Sequence, residues 1–216
     1  HARRRIPIAH MSSSGRRVSR NSAFYATARK RGWFDRGRGA PMSNVLMDGG
    51  CMYVPDAEYA EFLSIFAECA ARRDALFVIE RPSARLRFYA DIDARLPCSA
   101  SVDAFVRRLA AVFARSANEH LGARSRTVVL LAEPAVRADG LKVGVHLVMP
   151  DTRVRVEEAE GARAAVLAAL CAEDDLCAPL NGWDETLDAS VYRQGGLRLV
   201  FSRKMLYFGG IIAAAE

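Results

Sequence analysis

Two aspartates, Asp91 and Asp93, stand two residues apart in a segment where apolar and polar residues alternate, Leu86 to Asp93. This alternation is the period-2 pattern of a half-buried strand, so both carboxylates are expected on one face. Side chains at i and i+2 of a strand lie roughly 6–7 Å apart, close enough to bind one divalent cation or a pair. Because the carboxylates would otherwise repel each other, the pattern predicts a metal site, with a solvated strand end as the alternative.

Further charged residues lie on the polar side of other predicted strands or directly beside them. They are Lys142, His146, Asp188, Arg198 and Lys204. Three acids with four bases fit a site for a metal-bound polyphosphate, in which carboxylates hold two divalent ions and the bases neutralise phosphates. The sequence contains no Gly-x-Ser-x-Gly elbow and no Gly-x-x-x-x-Gly-Lys loop, which argues against a serine hydrolase and a P-loop ATPase.

The elements that must position these residues alternate between strands and helices. Helices are predicted from Asp56 to about Arg73, from Ser99 or Ser101 to about Leu121, and from Glu157 to about Glu173. Strands are predicted at 44–47 and 52–54 as a hairpin, at 76–79, at 127–131 as an apolar central strand, at 141–149 ending at Pro150, and at 196–202. This order predicts an α+β fold, a mixed or antiparallel sheet with helices packed on it.

The amino-acid composition limits the classes of protein to which this chain can belong. A chain of 216 residues with 51% hydrophobic and 26% charged residues can bury a real core. No run approaches the ~18 apolar residues of a membrane span, so no membrane partner is expected. The five cysteines are scattered and form no Cys-x-x-Cys, which is typical of a reduced, intracellular protein without a zinc site.

The net charge of +6 is unevenly distributed. Residues 1–40 hold eleven of the 31 basic residues and one of the 25 acidic residues, so this segment carries +10 and the remainder −4. Its composition and weak periodicity predict a mostly disordered basic tail, with Tyr25 and the Trp33-Phe34 pair docking locally. Such a tail either attracts phosphate backbones or serves as a solubilising arm.

Four segments, in this order, resemble the archaeo-eukaryotic primase superfamily, in particular the primases of large eukaryotic DNA viruses, including the N-terminal part of poxvirus and giant-virus primase-helicases. They are Phe88-Tyr89-Ala90-Asp91-Ile92-Asp93, Lys142-Val143-Gly144-Val145-His146-Leu147-Val148-Met149-Pro150, Leu187-Asp188-Ala189-Ser190-Val191-Tyr192, and Leu197-Arg198 with Ser202-Arg203-Lys204. The resemblance implies a catalytic domain over residues 41–204, with an RRM-like primase palm and a small N-terminal α/β lobe. Residues 205–216 depart from the family pattern, which indicates a truncated fragment, a decayed insertion or one module of a split gene.

The resemblance also implies roles for the acids. Asp91, Asp93 and Asp188 would be the catalytic residues that bind Mg²⁺ or Mn²⁺. Apart from the resemblance, Asp188 cannot be separated from its neighbours Asp184 and Glu185, because a coil offers no period to choose between them.

The bases would bind nucleotide or template. His146 would contact the phosphates of the incoming nucleotide with Lys142 beside it, while Arg198 and Lys204 would bind the triphosphate or the template. The histidine motif of the family often carries serine two residues before the histidine, where this chain has Gly144.

The implied function is a DNA-dependent primase or primase-polymerase that makes primers on single-stranded DNA from nucleoside triphosphates during DNA replication. It would work with a replicative helicase, fused or separate, at a viral replication site in the host cytoplasm or nucleus. Two alternatives stay open. One is a glycosyltransferase that holds a sugar nucleotide through Asp-x-Asp, and the other is an inactive nucleic-acid-binding remnant or fragment of a viral primase-helicase.

Overall fold

The structure is a computed structural model that describes residues 23–34, 42–47, 49–81, 84–174, 176–193, 195–199, 202, 205–208 and 211–214. Its helices are α1 (Ala23–Lys30), α2 (Tyr59–Ala71), α3 (Val102–Leu121), α4 (Val156–Cys171) and α5 (Gly182–Thr186). Its strands are β1 (Asn44–Leu46), β2 (Cys51–Met52), β3 (Val78–Glu80), β4 (Leu86–Leu96), β5 (Val128–Leu131), β6 (Ala135–Arg137), β7 (Gly140–Val154), β8 (Leu197–Arg198), β9 (Met205–Phe208) and β10 (Ile211–Ala214). Short 3₁₀ turns lie at Asp56–Glu58 and Ser190–Tyr192.

The larger sheet is antiparallel, with β7 in the middle, β4 along one side and β5 and β6 along the other. The predicted alternation of β4 is confirmed, because Phe88, Ala90 and Ile92 are at most 2% exposed on the face that packs against α3 and α4. The opposite face carries the charged residues of β4 and β7, and the side chain of Asp93 on it is 55% exposed. The prediction of an α+β fold is confirmed.

Local signals determine where α3 begins and ends. The Oγ atom of Ser101 accepts a hydrogen bond from the Ala104 N–H at 3.3 Å, which caps the first turn. Gly122 ends the helix with a φ of 59°, a left-handed conformation that glycine adopts readily. Both ends were predicted from these residue types, with Ser99 as the other candidate for the cap.

The smaller sheet has the strand order β2-β1-β3-β8 and shares a second core with α1 and α2. The predicted hairpin of β1 and β2 is confirmed, although Asp48 of its turn lies outside the described residues. Phe24, Tyr25 and Trp33 are at most 1% exposed in this core. Residues 23–34 are therefore folded, which confirms the local docking predicted for Tyr25 and the Trp33-Phe34 pair, and the disorder predicted for most of residues 1–40 does not include this segment, because aromatic burial outweighs the basic composition.

Three predictions about strands are wrong. Among the described residues β5 pairs only with β7, so it is an edge strand, and Val129 and Leu131 are 39% and 47% exposed. The strand β7 does not end at Pro150, because the register with β4 shifts between Arg87 and Phe88 and a proline in such a bulge has no ladder hydrogen bond to lose. Of the described residues in the last predicted strand, Gly196, Leu199 and Ser202 are not in a strand, and Leu197–Arg198 form β8, which pairs with β3 of the smaller sheet.

Two further features complete the fold. Asp56 makes no capping contact and instead begins the 3₁₀ turn before α2. The strands β9 and β10 pair with each other in antiparallel orientation. Of the helices described, none combines the length and the apolar character that crossing a membrane demands.

Replacing Phe24 with alanine tests whether α1 belongs to the folded unit. The Phe24 ring lies 5.3 to 5.8 Å from those of Tyr25, Phe62 and Phe66, so its loss leaves a cavity in the smaller core. We expect Phe24→Ala to lower the free energy of unfolding by about 3 kcal/mol, measured by urea denaturation. The exposed Arg29→Ala on the same helix serves as control and should change it by less than about 0.5 kcal/mol. Equal stability of both variants would show that α1 does not contribute to the fold.

Candidate active site

The register of β4 against β7 brings four of the predicted residues together on the open face of the larger sheet. Asp91 lies directly opposite His146, and Asp93 lies opposite Gly144. The Nε2 atom of His146 is 3.3 Å from Oδ1 of Asp91. The Nζ atom of Lys142 donates to Oδ2 of Asp93 at 2.8 Å, reaching diagonally past Gly144. Each acid of the Asp-x-Asp pair therefore has one basic partner on the neighbouring strand.

Asp188 is held beside this pair by its backbone. Leu187 forms an isolated β-bridge with Ile92, and the Asp188 N–H donates to the Asp91 carbonyl oxygen at 3.0 Å. The Asp188 carboxylate accepts hydrogen bonds from the N–H and the hydroxyl group of Ser190, at 2.7 and 3.0 Å. The chain segment after α5 thus continues the sheet past β4 for two residues, which places the third acid next to the first.

Two buried tyrosines fix the segment that carries Asp188. The Tyr89 hydroxyl donates to the Val191 carbonyl at 2.9 Å, and the Tyr192 hydroxyl donates to the Tyr89 carbonyl at 2.5 Å. Burial, reinforced by the negative charges of Glu80, Asp91 and Asp188, raises the pKa of Tyr89 above its ordinary value. Burial likewise raises the pKa of Tyr192. Both phenols consequently remain protonated donors at neutral pH.

Two other residues that hold this segment were missed from sequence. The side chain of Asn181 accepts from the Arg95 N–H at 2.9 Å and donates to the Asp93 carbonyl at 3.1 Å, in the manner of a neighbouring strand. Arg163 of α4 donates to the Leu187 carbonyl from Nε at 2.9 Å and from Nη2 at 2.6 Å. No local pattern marks either residue, because their partners lie 24 to 88 residues away in the sequence.

A cleft rich in arginine opens beyond Tyr89, between the two sheets. The residues that line it include Glu80, Arg81, Arg87, Tyr89, Leu130, His146, Val148, Arg153 and Arg198. Arg198 and His146, which were predicted to bind nucleotide, therefore share one cleft. Arg81, Arg87 and Arg153 were not predicted, since the cleft forms between elements that are distant in the sequence.

The charges of this cleft are poorly balanced. Arg87 and Arg153 lie directly opposite each other across β4 and β7, an arrangement that destabilises a sheet when the charges are alike. Glu80 is the one acid among the lining residues, and its Oε1 atom lies 3.6 Å from Nη1 of Arg87. A bound polyphosphate would relieve this repulsion, because several arginines can donate to it at once.

The remaining predicted bases lie elsewhere. Lys142 lies opposite Arg95, on the side of the carboxylates away from the arginine cleft, so it is not beside the phosphate-binding candidates. Lys204 lies outside the described residues.

Gly144 occupies the position where the family motif often has serine, and among the described residues a Cβ atom there would meet only the Cβ of Ala132, at 3.6 Å. The fold therefore leaves room for a hydroxyl group that the sequence does not supply.

The acids provide the donor chemistry that Mg²⁺ or Mn²⁺ requires, since carboxylate oxygens are hard ligands. Within the described part of the chain, no three His, Cys, Asp or Glu side chains converge closely enough to surround a metal ion. Asp93 is engaged by Lys142, and Asp188 accepts from Ser190. Asp91, Asp93 and Asp188 therefore match a divalent cation in donor type and lie on neighbouring chain segments, while their carboxylates do not converge on one point in this structure.

Gly196 directly precedes β8, which carries Arg198, and its replacement tests the close approach of β8 to β3. Its φ is 69°, and a Cβ atom there would lie 2.1 Å from the Glu80 carbonyl oxygen. We expect Gly196→Ala to cost the left-handed penalty plus overpacking, together about 3 kcal/mol of unfolding free energy. Gly122→Ala, at a φ of 59° with nothing within 4 Å, is the matched control and should cost about 1 kcal/mol in the same thermal or urea unfolding measurement. Equal losses would contradict the close approach of β8 to β3.

One of the comparisons with known proteins identifies the family of this chain. No curated protein matches the chain. Residues 43–209 match the family described as the C962R protein N-terminal AEP domain, where AEP stands for archaeo-eukaryotic primase. The match covers well over half of the 216 residues and includes every predicted site residue. The chain therefore belongs to the archaeo-eukaryotic primase domain family represented by the N-terminal domain of the C962R viral primase-helicase, as the order of its four motifs predicted.

Proposed function

We propose that this chain is the catalytic domain of a DNA-dependent primase or primase-polymerase, which joins nucleotides on a single-stranded DNA template. One observation carries the proposal. In a chain of this family, Asp91 and Asp93 share one face of β4, and the backbone of the segment after α5 pairs with β4 so that Asp188 follows directly beside Asp91. The arginine cleft adjoins that place and has the charge to hold a nucleoside triphosphate.

The reaction proposed is nucleotidyl transfer. The oxygen of a 3′-hydroxyl group forms a bond to the α-phosphorus of the incoming nucleotide, and the bond from that phosphorus to the oxygen bridging the β-phosphate breaks. Pyrophosphate leaves with the electron pair of the broken bond, and the hydroxyl proton passes to solvent. Mg²⁺ or Mn²⁺ held by the three aspartates would supply charge stabilisation to the attacking and the leaving oxygen.

The bases of the site would bind the phosphates of the incoming nucleotide. His146 lies at the boundary between the acids and the cleft, with its Nε2 atom 3.3 Å from Asp91 and its ring among the lining residues. It would donate to the phosphates next to the reacting phosphorus, while Arg198, with Arg87 and Arg153, would hold the terminal phosphates. Arginine suits this task because its planar group donates to two phosphate oxygens at once.

The partners follow from the reaction. The substrates would be nucleoside triphosphates and single-stranded DNA, and a replicative helicase would act beside the primase, in the same polypeptide or as a separate one. We place the activity inside the cell, at a viral replication site in the host cytoplasm or nucleus. The family match supports this proposal over a sugar-nucleotide enzyme, and no observation favours an inactive remnant.

The decisive test is primer synthesis on single-stranded DNA with Mg²⁺ or Mn²⁺ and mixed nucleotides. Asp91→Ala should lower the rate by more than about 100-fold, since even changes behind metal ligands cost 10- to 100-fold. A chelator should abolish synthesis by the wild type, and added metal should restore it. DNA binding, measured by fluorescence anisotropy, should change little, because Asp91 contributes no attraction for phosphate.

Asp103→Ala provides the matched control. Asp103 is an exposed acid on α3, on the far side of the sheet, and its partner is Arg107. This variant should synthesise primers at the wild-type rate. Primer synthesis by Asp91→Ala at the wild-type rate would contradict the assignment of the metal site. A folded, DNA-binding wild type that makes no primers would contradict the proposed function itself.

A further inference from the structure

The charged face of the larger sheet has two basic ends, with the carboxylates between them. The Arg87–Arg153 pair lies four residues from Asp91 in one direction along β4, and the Arg95–Lys142 pair lies four residues away in the other. At about 3.3 Å per residue, each end is roughly 13 Å from Asp91 along the strand. The arginine cleft occupies one end, so the basic residues around Lys142 form a second, separate surface.

This second surface, which we call the Lys142 end, consists of Lys142, Arg95 and Arg137. Arg137 belongs to β6 and shares a face with Ala135, which pairs with Lys142. Arg95 forms an ion pair with Asp139, and Lys142 forms one with Asp93. Arg137 is exposed, and no acid pairs with it among the residues described. The Lys142 end is thus open to solvent. Its three bases outnumber the two acids that pair with them, Asp93 and Asp139.

The geometry of phosphoryl transfer indicates which substrate would bind at the Lys142 end. The attacking and the leaving oxygen lie roughly in line on opposite sides of the phosphorus. With the leaving pyrophosphate in the arginine cleft, the attacking 3′-hydroxyl group must approach from the opposite side of the carboxylates. We infer, on the basis of the proposed function, that the primer strand lies over the Lys142 end and that Lys142 contacts the phosphate next to its 3′-terminal nucleotide.

The floor between Lys142 and His146 permits a close approach of that strand. Gly144 separates the two residues along β7 and has no side chain, and a Cβ atom built there would meet the small side chain of Ala132 at 3.6 Å. No bulky residue therefore rises between the Asp-x-Asp pair and the Lys142 end on β7. A nucleotide backbone can lie directly on the strand at this point.

The ion pair of Lys142 with Asp93 is compatible with this role. The Lys142 and Asp93 side chains are 35% and 55% exposed, so water screens their attraction and the pair can exchange partners easily. A phosphate arriving at the Lys142 end would take over the ammonium group, which would release the Asp93 carboxylate. Binding of the primer strand would then free an oxygen ligand at the same step.

The experiment compares Lys142→Ala and Arg198→Ala in binding and in extension of a primer annealed to a template. Loss of one phosphate contact should weaken primer-template binding by about five- to tenfold at 0.1 M salt and should lower the salt slope by about 1, as measured by anisotropy without metal. In extension assays Lys142→Ala should raise the KM for primer-template by a similar factor and leave the KM for the nucleotide unchanged. Arg198→Ala should show the reverse pattern.

Two further variants separate charge from structure. Lys142→Arg keeps the positive charge and should recover most of the primer-template affinity. Arg107→Ala removes an exposed base from α3, on the opposite side of the sheet, and should match the wild type in both constants. Wild-type extension combined with a Lys142→Ala effect on the nucleotide KM alone would overturn the inference while leaving the proposed function intact. Absence of extension by the wild type would contradict the proposed function and the inference together.

Discussion

The antiparallel pairing of β4 with β7 is the constraint on which the rest of the structure depends. Their register puts Asp91 opposite His146 and, at the same time, puts Ile92 opposite Val145 in the core. Since side chains alternate between faces, a slip by one residue would bury the carboxylates under α3 and α4 and expose the apolar residues. The packing of the hydrophobic core therefore fixes the register of β4 against β7. That register in turn fixes which charged residues lie opposite each other on the other face.

A second constraint closes the other edge of β4. A lone edge strand would present unpaired N–H and C=O groups, and the segment 180–188 satisfies four of them between Asp91 and Arg95. Leu180, Asn181 and Asp188 supply these partners through backbone and side-chain groups. Satisfying the edge and placing the third acid are thus the same structural event, which explains how an acid in a short irregular segment obtains a defined position.

Local patterns were enough to predict some of this arrangement. The alternation along β4 and β7 and the capping residues of α3 act within a few positions of each other, so the sequence reveals them directly. The packing between distant segments could not be predicted in the same way. The apolar run of β5 looks the same in a central strand and in an edge strand, and the arginine cleft forms only where β3 and β8 meet the larger sheet. Asp188 required the family resemblance, because no period distinguishes it from Asp184 and Glu185.

The smaller core shows that the unit shared with relatives and the unit that folds have different limits. The family match begins at residue 43, whereas Phe24 and Trp33 fill the core around Phe62, Phe66 and Met52. A domain cut at the limit of similarity would uncover the aromatic surface of α2, which in water favours self-association over solubility. Homology thus marks the part of the chain shared with the family, while burial marks a longer segment that is needed to cover the aromatic core.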